Sequence, residues 1–223
     1  MKVLDLFCGA GGAAMGLHRA WPDAEIIGVD IKPQPRYPFT FIQADAMTFP
    51  LEGYDFIWAS PPCQGYSRLR HLPWLKNRRY PLLIEPTRAK LIASGADWCM
   101  ENVEDAPVIG FVLCGQMFGL PVYRHRRFET SQYFMIPSHD GHRHVIGHGR
   151  MVNDRRKGTL NASSNKGAWG TQQPIVTVAG GQFKKKDGER ALGIDWMTKD
   201  ELCEAIPPAY SEFIAKQFLN HVS

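Results

Sequence analysis

Short apolar runs alternate with longer stretches of helical periodicity through the first half of the chain. The runs at 2–7, 25–30, 40–44, 54–59 and 97–101 predict strands. A helix is predicted over about 13–20, directly after the first strand. Another is predicted over 83–95, between the fourth and fifth. This is the βαβ pattern of a mostly parallel sheet. Beyond about residue 106 the pattern is less regular. Phe128 and the Tyr133-Phe134 pair predict one more strand after the Arg124–Arg127 cluster. Residues 137–175 are rich in Gly, His, Asn, Ser and Arg, and read as a loop-rich insertion. Residues 198–220 return to a helical pattern, with Leu202, Ala205, Phe213, Ile214 and Phe218 as its apolar positions. Pro207-Pro208 divides that stretch into two pieces.

Composition narrows the class. A chain of 223 residues, 44% hydrophobic and 22% charged, suits one α/β domain with at most a small appendage. No apolar run reaches the roughly 20 residues of a membrane span. The chain opens on a buried-strand pattern, Val3-Leu4-Asp5-Leu6-Phe7, so no signal peptide is expected. Five cysteines without a close pair or secretion signal predict free thiols and a cytoplasmic location. The net charge of +4 is unevenly spread. Residues 137–190 hold ten Lys/Arg against four Asp/Glu, whereas 1–136 hold fourteen against thirteen. A basic segment of this kind fits a polyanionic partner, or a solvated loop.

Candidate chemistry starts in the glycine-rich loop Phe7-Cys8-Gly9-Ala10-Gly11-Gly12, between the first strand and first helix. Glycine allows close backbone approach to a ligand, and the helix start offers unpaired N–H groups. Asp30 ends the second strand about twenty residues on, where a carboxylate can take both ribose hydroxyls. Asp45 ends the third strand and suits an adenine amino group, or a strand-end cap. The loop departs from Gly-x-Gly-x-x-Gly, which favours a nucleoside ligand over a dinucleotide. Ser60-Pro61-Pro62-Cys63-Gln64-Gly65-Tyr66-Ser67 follows the fourth strand, at the carboxyl edge where α/β sites form. Two prolines stiffen the approach to Cys63.

Together these segments resemble the cytosine-5 DNA methyltransferase family. Asp5–Gly12, Pro61-Pro62-Cys63-Gln64 and Glu101-Asn102-Val103 are similar to three of its blocks, in order. Arg124-His125-Arg126 is similar to its Arg-x-Arg motif, and Ala205–Ala209 to its last block. The resemblance covers about 1–134 and 170–220. It implies a Rossmann-like fold dependent on S-adenosylmethionine, an α/β architecture with a mostly parallel sheet and helices on both faces. It also implies double-stranded DNA as substrate. Residues 1–134 and 176–223 would form the catalytic domain, and 135–175 a small target-recognition segment. A monomer in a prokaryotic or phage-infected cell is expected, with restriction-modification as one biological setting.

The implied roles follow the chemistry. Cys63 would add to C6 of cytosine and so activate C5. Glu101, protonated by desolvation, would donate to N3. Arg124 and Arg126 would hold the base's carbonyl oxygen and lower the Cys63 pKa. The cofactor would lie against Phe7, Gly9, Gly11, Gly12, Asp30, Ile31, Asp45, Ala46 and Pro61. Gln64, Ser67, Arg68, Arg70, Arg155 and Arg156 would meet DNA, with the basic run 68–79 on phosphates. With so short and polar a segment at 135–180, including Asn161 and Gln172, a target of about two to four base pairs or a relaxed context is expected. No metal is expected. His139, His142, His144 and His148 cluster along the chain, but no cysteine lies near them in sequence.

The chain also departs from the family. Its recognition region is short, and Cys203-Glu204 stands where Gly-Asn is usual. Two alternatives therefore stay open: the same chemistry on an RNA cytosine or a free cytidine nucleotide, or a non-catalytic DNA-binding protein on this scaffold.

Overall fold

The computed structural model describes residues 1–67, 78–137, 139, 175–179 and 183–219. Its centre is a seven-stranded sheet. Five strands, β1 (Lys2–Leu6), β2 (Glu25–Asp30), β3 (Thr40–Gln43), β4 (Phe56–Ala59) and β5 (Asp97–Val103), are parallel. β6 (Phe111–Leu113) and β7 (Arg126–Thr130) follow, with β7 antiparallel to both β5 and β6. The strand order is β3-β2-β1-β4-β5-β7-β6. The order reverses between β1 and β4, which opens a crevice at the carboxyl ends of those strands.

The predicted strands appear within a few residues of their expected bounds. The strand expected after the arginine cluster begins inside it, at Arg126. β6 was not foreseen, being only three residues long. The helices α1 (Gly12–Ala20) and α2 (Ile84–Ser94) match their predicted places. The carboxyl-terminal helical stretch divides at the prolines into α4 (Lys199–Glu204) and α5 (Pro208–Leu219). Before it stands α3 (Lys185–Leu192), which was also unforeseen; its lysine-rich start reads as polar loop.

Strand alternation assigns the side chains to two layers. Val3, Phe56, Trp58 and Cys99 face one side, where α1 and α5 supply Leu17, Tyr210, Ile214 and Phe218. Leu4, Leu6, Ile57, Ala59 and Met100 face the other, covered by Ile84 and Leu91 of α2. Coverage on both faces explains why β1 and β4 are apolar almost throughout. A third cluster joins Val122 and Val178 to Phe183, Leu192, Met197 and Leu202, so α3 and α4 pack beyond the strand ends. Val176 forms a parallel bridge with Val122.

Candidate active site

A cavity of about 350 Å³ lies at the topological switch point. Its floor is the loop after β1. Gly9 and Gly11 adopt φ of 49° and 83°, and Phe7 is held at φ 56°, unusual for a residue with a side chain. A Cβ built on Gly9 would meet no atom within 4 Å, so this turn faces open cavity. The Gly9 N–H donates to Asp30 Oδ2 at 3.1 Å, and the Lys32 N–H to Asp30 Oδ1 at 2.9 Å. The carboxylate is thus oriented by two backbone donors and keeps free lone pairs toward the cavity. The Trp196 indole donates to the Ala10 carbonyl at 2.8 Å, fastening the loop to the carboxyl-terminal part of the chain.

The opposite wall carries the thiol. Cys63 is half-buried on the loop after β4. Its carbonyl accepts the N–H groups of Tyr66 and Ser67 at 3.0 and 2.9 Å, closing a tight turn just beyond it. The Asn102 amide donates to the Pro61 carbonyl at 2.7 Å and ties the loop to β5. Tyr66 Oη accepts the Ile84 N–H at the start of α2. Glu101, also on β5, is 4% exposed, and Arg126 Nε lies 3.0 Å from its Oε1. Burial raises the Glu101 pKa, while Arg126 and a hydrogen bond from Ser60 pull it down. The net rise is the direction expected of a carboxyl group that donates a hydrogen bond.

Of the predicted residues, Phe7, Gly9, Gly12, Asp30, Ile31, Pro61, Cys63, Gln64, Glu101 and Arg126 line this one cavity. Several others are placed differently. Arg124 is 6% exposed and does not line the cavity. It donates to the carbonyls of Val178 and Cys203 at 2.9 and 2.7 Å, and burial lowers its pKa to about 9. In this geometry it clamps the approach to β7 against the carboxyl-terminal segment rather than facing a substrate. Asp45 is exposed and outside the cavity lining, and its Oδ1 caps the following turn by accepting the Met47 N–H at 2.9 Å. Ala46 is buried, with its carbonyl turned to Lys90 Nζ at 2.9 Å, and Gly11 caps α1. The expected fall in the Cys63 pKa is reversed. Burial outweighs Arg126 and Arg124, and Glu101 and Glu204 push the same way, so the thiol is raised. The Ser67 N–H closes the turn after Cys63. Arg68, Arg70, Arg155, Arg156, Asn161 and Gln172 lie outside the described residues, as do His142, His144 and His148.

Asp5, Asp200 and Glu201, which the sequence does not single out as site residues, line the cavity too, beside Glu204. Thr198 and Glu201 form a reciprocal cap that starts α4, at 3.3 and 2.6 Å, and sets this acidic wall. A Thr-x-x-Glu spacing was the available signal. Of the four clustered histidines only His139 is among the described residues, and Cys114 lies beside it in space.

Residues 1–106 match the family model for C-5 cytosine-specific DNA methylases. Over this part the chain is similar to that family. The methylase match thus contains the glycine loop, Asp30, Cys63 and Glu101, and stops short of Arg126 and the acidic wall. No curated protein matches the chain in sequence. Among solved structures, a methyltransferase of Entamoeba histolytica is similar over 100% of this chain and 99% of its own, at 10% identity and a TM-score of 0.58. That likeness shows a shared fold. An RNA methyltransferase from Salinibacter ruber, in complex with S-adenosyl-L-homocysteine, is 11% identical over 63% of this chain and 86% of its own, with a TM-score of 0.37.

The methylase family uses S-adenosylmethionine. This molecule carries a sulfonium and an ammonium group, and the residues present fit it. The cavity is open above Gly9, its rim bears Asp30, Asp200, Glu201 and Glu204, and a buried Asp5 oxygen lacks a hydrogen-bond partner. Ile31, 65% exposed at the rim, offers an apolar face to a planar base.

Proposed function

We propose that this chain methylates C5 of cytosine in double-stranded DNA, with Cys63 as a transient nucleophile. The observation that carries this reading is the convergence of Cys63, Glu101 and Arg126 on the cavity that also holds Asp30. Asp30 would take the ribose hydroxyls of S-adenosylmethionine. The acidic wall, Glu204 foremost, would take its ammonium in place of the neutral Asn usual in the family. The bound cofactor supplies an electrophilic methyl group on a positively charged sulfur.

The chain's own groups do the rest. The Cys63 thiolate adds to C6 of the flipped cytosine, and the C5–C6 electron pair becomes available at C5. Glu101, its pKa raised by burial, would donate to N3 as charge develops there, with Arg126 keeping its carboxyl group in place. After C5 takes the methyl group, a water molecule accepts the C5 proton, and the electron pair returns to C5–C6. That pair expels Cys63 as thiolate. Residues 1–134 and 176–223 would perform this chemistry, with 135–175 reading a short target and Gln64 and the basic run after Ser67 meeting the strand.

DNA carrying 5-fluorocytosine tests the covalent step, because fluorine cannot leave as a proton does. A denaturant-resistant adduct is expected with cofactor and intact Cys63. An equally strong adduct with Cys63→Ser would remove Cys63 from the mechanism. Labelled cofactor offered with duplex DNA, RNA and cytidine nucleotides separates the substrates, and transfer to RNA alone would overturn the DNA assignment. Asp30→Ala should weaken cofactor binding about ten- to a hundred-fold in calorimetry.

A further inference from the structure

Cys114, His125 and His139 come from three separate segments around β6 and β7. Cys114 directly follows β6, His125 directly precedes β7, and His139 lies nine residues beyond the end of β7. Their ligating atoms, one thiol sulfur and one nitrogen from each ring, all lie within 4.8 Å of one another. The two imidazole rings stand 5.2 Å apart between centroids, at 59°. Cys114 is fully buried, and both histidines are half-buried. We propose that these three side chains form a zinc site, unconnected with methyl transfer chemistry, that pins the chain on both sides of β7.

The donor set selects the metal. One thiolate and two imidazoles suit zinc, or cobalt as its stand-in, better than the hard cations that prefer oxygen. Tetrahedral zinc holds its ligand atoms roughly 3.3–3.6 Å apart, so a closing movement of about an ångström completes the geometry. A water would take the fourth position. Burial raises the Cys114 pKa, and backbone hydrogen bonds to the sulfur from Gln116, Arg124 and Gly115 oppose that rise. Donors of this kind are the outer support that metal-bound thiolates need.

The site has a structural consequence. His125 sits between Arg124, the clamp, and Arg126, the partner of Glu101. Its carbonyl accepts Arg126 Nη1 at 3.0 Å. A metal on its ring would fix the backbone from which Arg126 reaches the cavity.

The test uses the full chain, purified with zinc and freed of loose metal. About one zinc per chain is expected by elemental analysis. Replacement by cobalt should give thiolate-to-cobalt charge transfer and the intense visible bands of a tetrahedral site. Cys114→Ser should abolish the charge transfer, and Cys203→Ser should not. Cys114 is in the core, so His139→Ala, half-buried, provides a second variant. It should weaken zinc about ten-fold or more in chelator competition. Zinc should raise the melting temperature of the wild type and of neither site variant. A folded wild type that takes up no zinc overturns the proposal. So does undiminished zinc affinity in a folded Cys114→Ser or His139→Ala. None of these readouts depends on methylation, so a failure here leaves the proposed function standing.

Discussion

Asp5 sits at 1% exposure near the carboxyl end of β1, with Tyr37 Oη donating to its Oδ2 at 3.2 Å and its Oδ1 unpartnered. Burial raises its pKa from the ordinary 3.8 to about 8; the Tyr37 hydrogen bond opposes this and Asp30 adds to it. The folded state therefore holds a proton between these values that the unfolded chain has lost. The contribution of Asp5 is fully present below about pH 4 and is lost as pH rises through about 8. Asp5→Asn should flatten the decline of melting temperature between pH 5 and 8; parallel profiles for the two proteins would show Asp5 ionised in the fold. The reactive thiol obeys the same arithmetic with other signs. Glu101 and Glu204 raise the Cys63 pKa, and Arg126 lowers it. Glu204→Gln should shift the pH midpoint of Cys63 alkylation down, and Arg126→Ala should shift it up, read peptide by peptide by mass spectrometry. A midpoint that rises in Glu204→Gln would place that carboxylate away from the sulfur. At this scale the motif residues were legible because their chemistry is local: a thiol after two prolines, an acid at a strand end. Arg124 was not. Its type and spacing suit a substrate contact, and only the fold shows that two carbonyls from distant segments already accept its protons.

Elements were legible where both faces of a strand are apolar or a helix is long. The three-residue β6 and the polar α3 carry no such signal, because distant packing holds them. The antiparallel β7 between β5 and β6 is fixed in part by one ion pair. Arg88 of α2 meets Glu129 of β7 in a two-pronged bridge, Nε to Oε1 and Nη2 to Oε2, both at 2.7 Å, with each side chain 12% exposed. The same Nη2 donates to the Pro107 carbonyl, and Glu129 Oε2 accepts the Ile109 N–H. Helix, strand and the turn before β6 thus share one charged centre. Removing the cation leaves a mostly buried carboxylate, which costs about 3 kcal/mol. Arg88→Met should therefore lower the melting temperature by about 6–12 °C. Loss of less than about 2 °C in a scanning calorimeter would mean that water replaces the bridge. Cys63 alkylation should be little changed, since the bridge lies on the α2 side of the sheet and the thiol on a loop anchored by Asn102 and Tyr66.

On the scale of the molecule, the cavity is closed by parts that are far apart in the chain. The family match ends at residue 106, yet Arg126 and the stretch from Met197 to Ile206 complete the cavity. What carries that stretch into place is the packing of α5 on α1. The Ser211 hydroxyl donates to the Ala13 carbonyl at 2.8 Å, and Tyr210 Oη donates to the Arg124 carbonyl at 2.7 Å. The close approach depends on Gly16. A Cβ there would stand 2.0 Å from the Pro208 carbonyl oxygen and 2.1 Å from Ser211 Oγ. Two effects of Gly16→Ala oppose one another. Helix propensity favours alanine by about 1 kcal/mol. Overpacking against backbone costs about 1–3 kcal/mol, and more where the neighbour cannot rotate away. The Pro208 oxygen belongs to the main chain at the start of α5, so relief requires the helix to move. Gly16→Ala is therefore expected to destabilise, by about 2 kcal/mol, where a solvent-facing helical glycine would be stabilised by the same change. The movement would draw Ile206 and Glu204 from the cavity rim, so calorimetry should show weaker cofactor binding in a chain that still folds. A stabilised Gly16→Ala variant with unchanged cofactor affinity would mean that the α1–α5 contact does not set the cavity, and that the amino-terminal half shapes it alone.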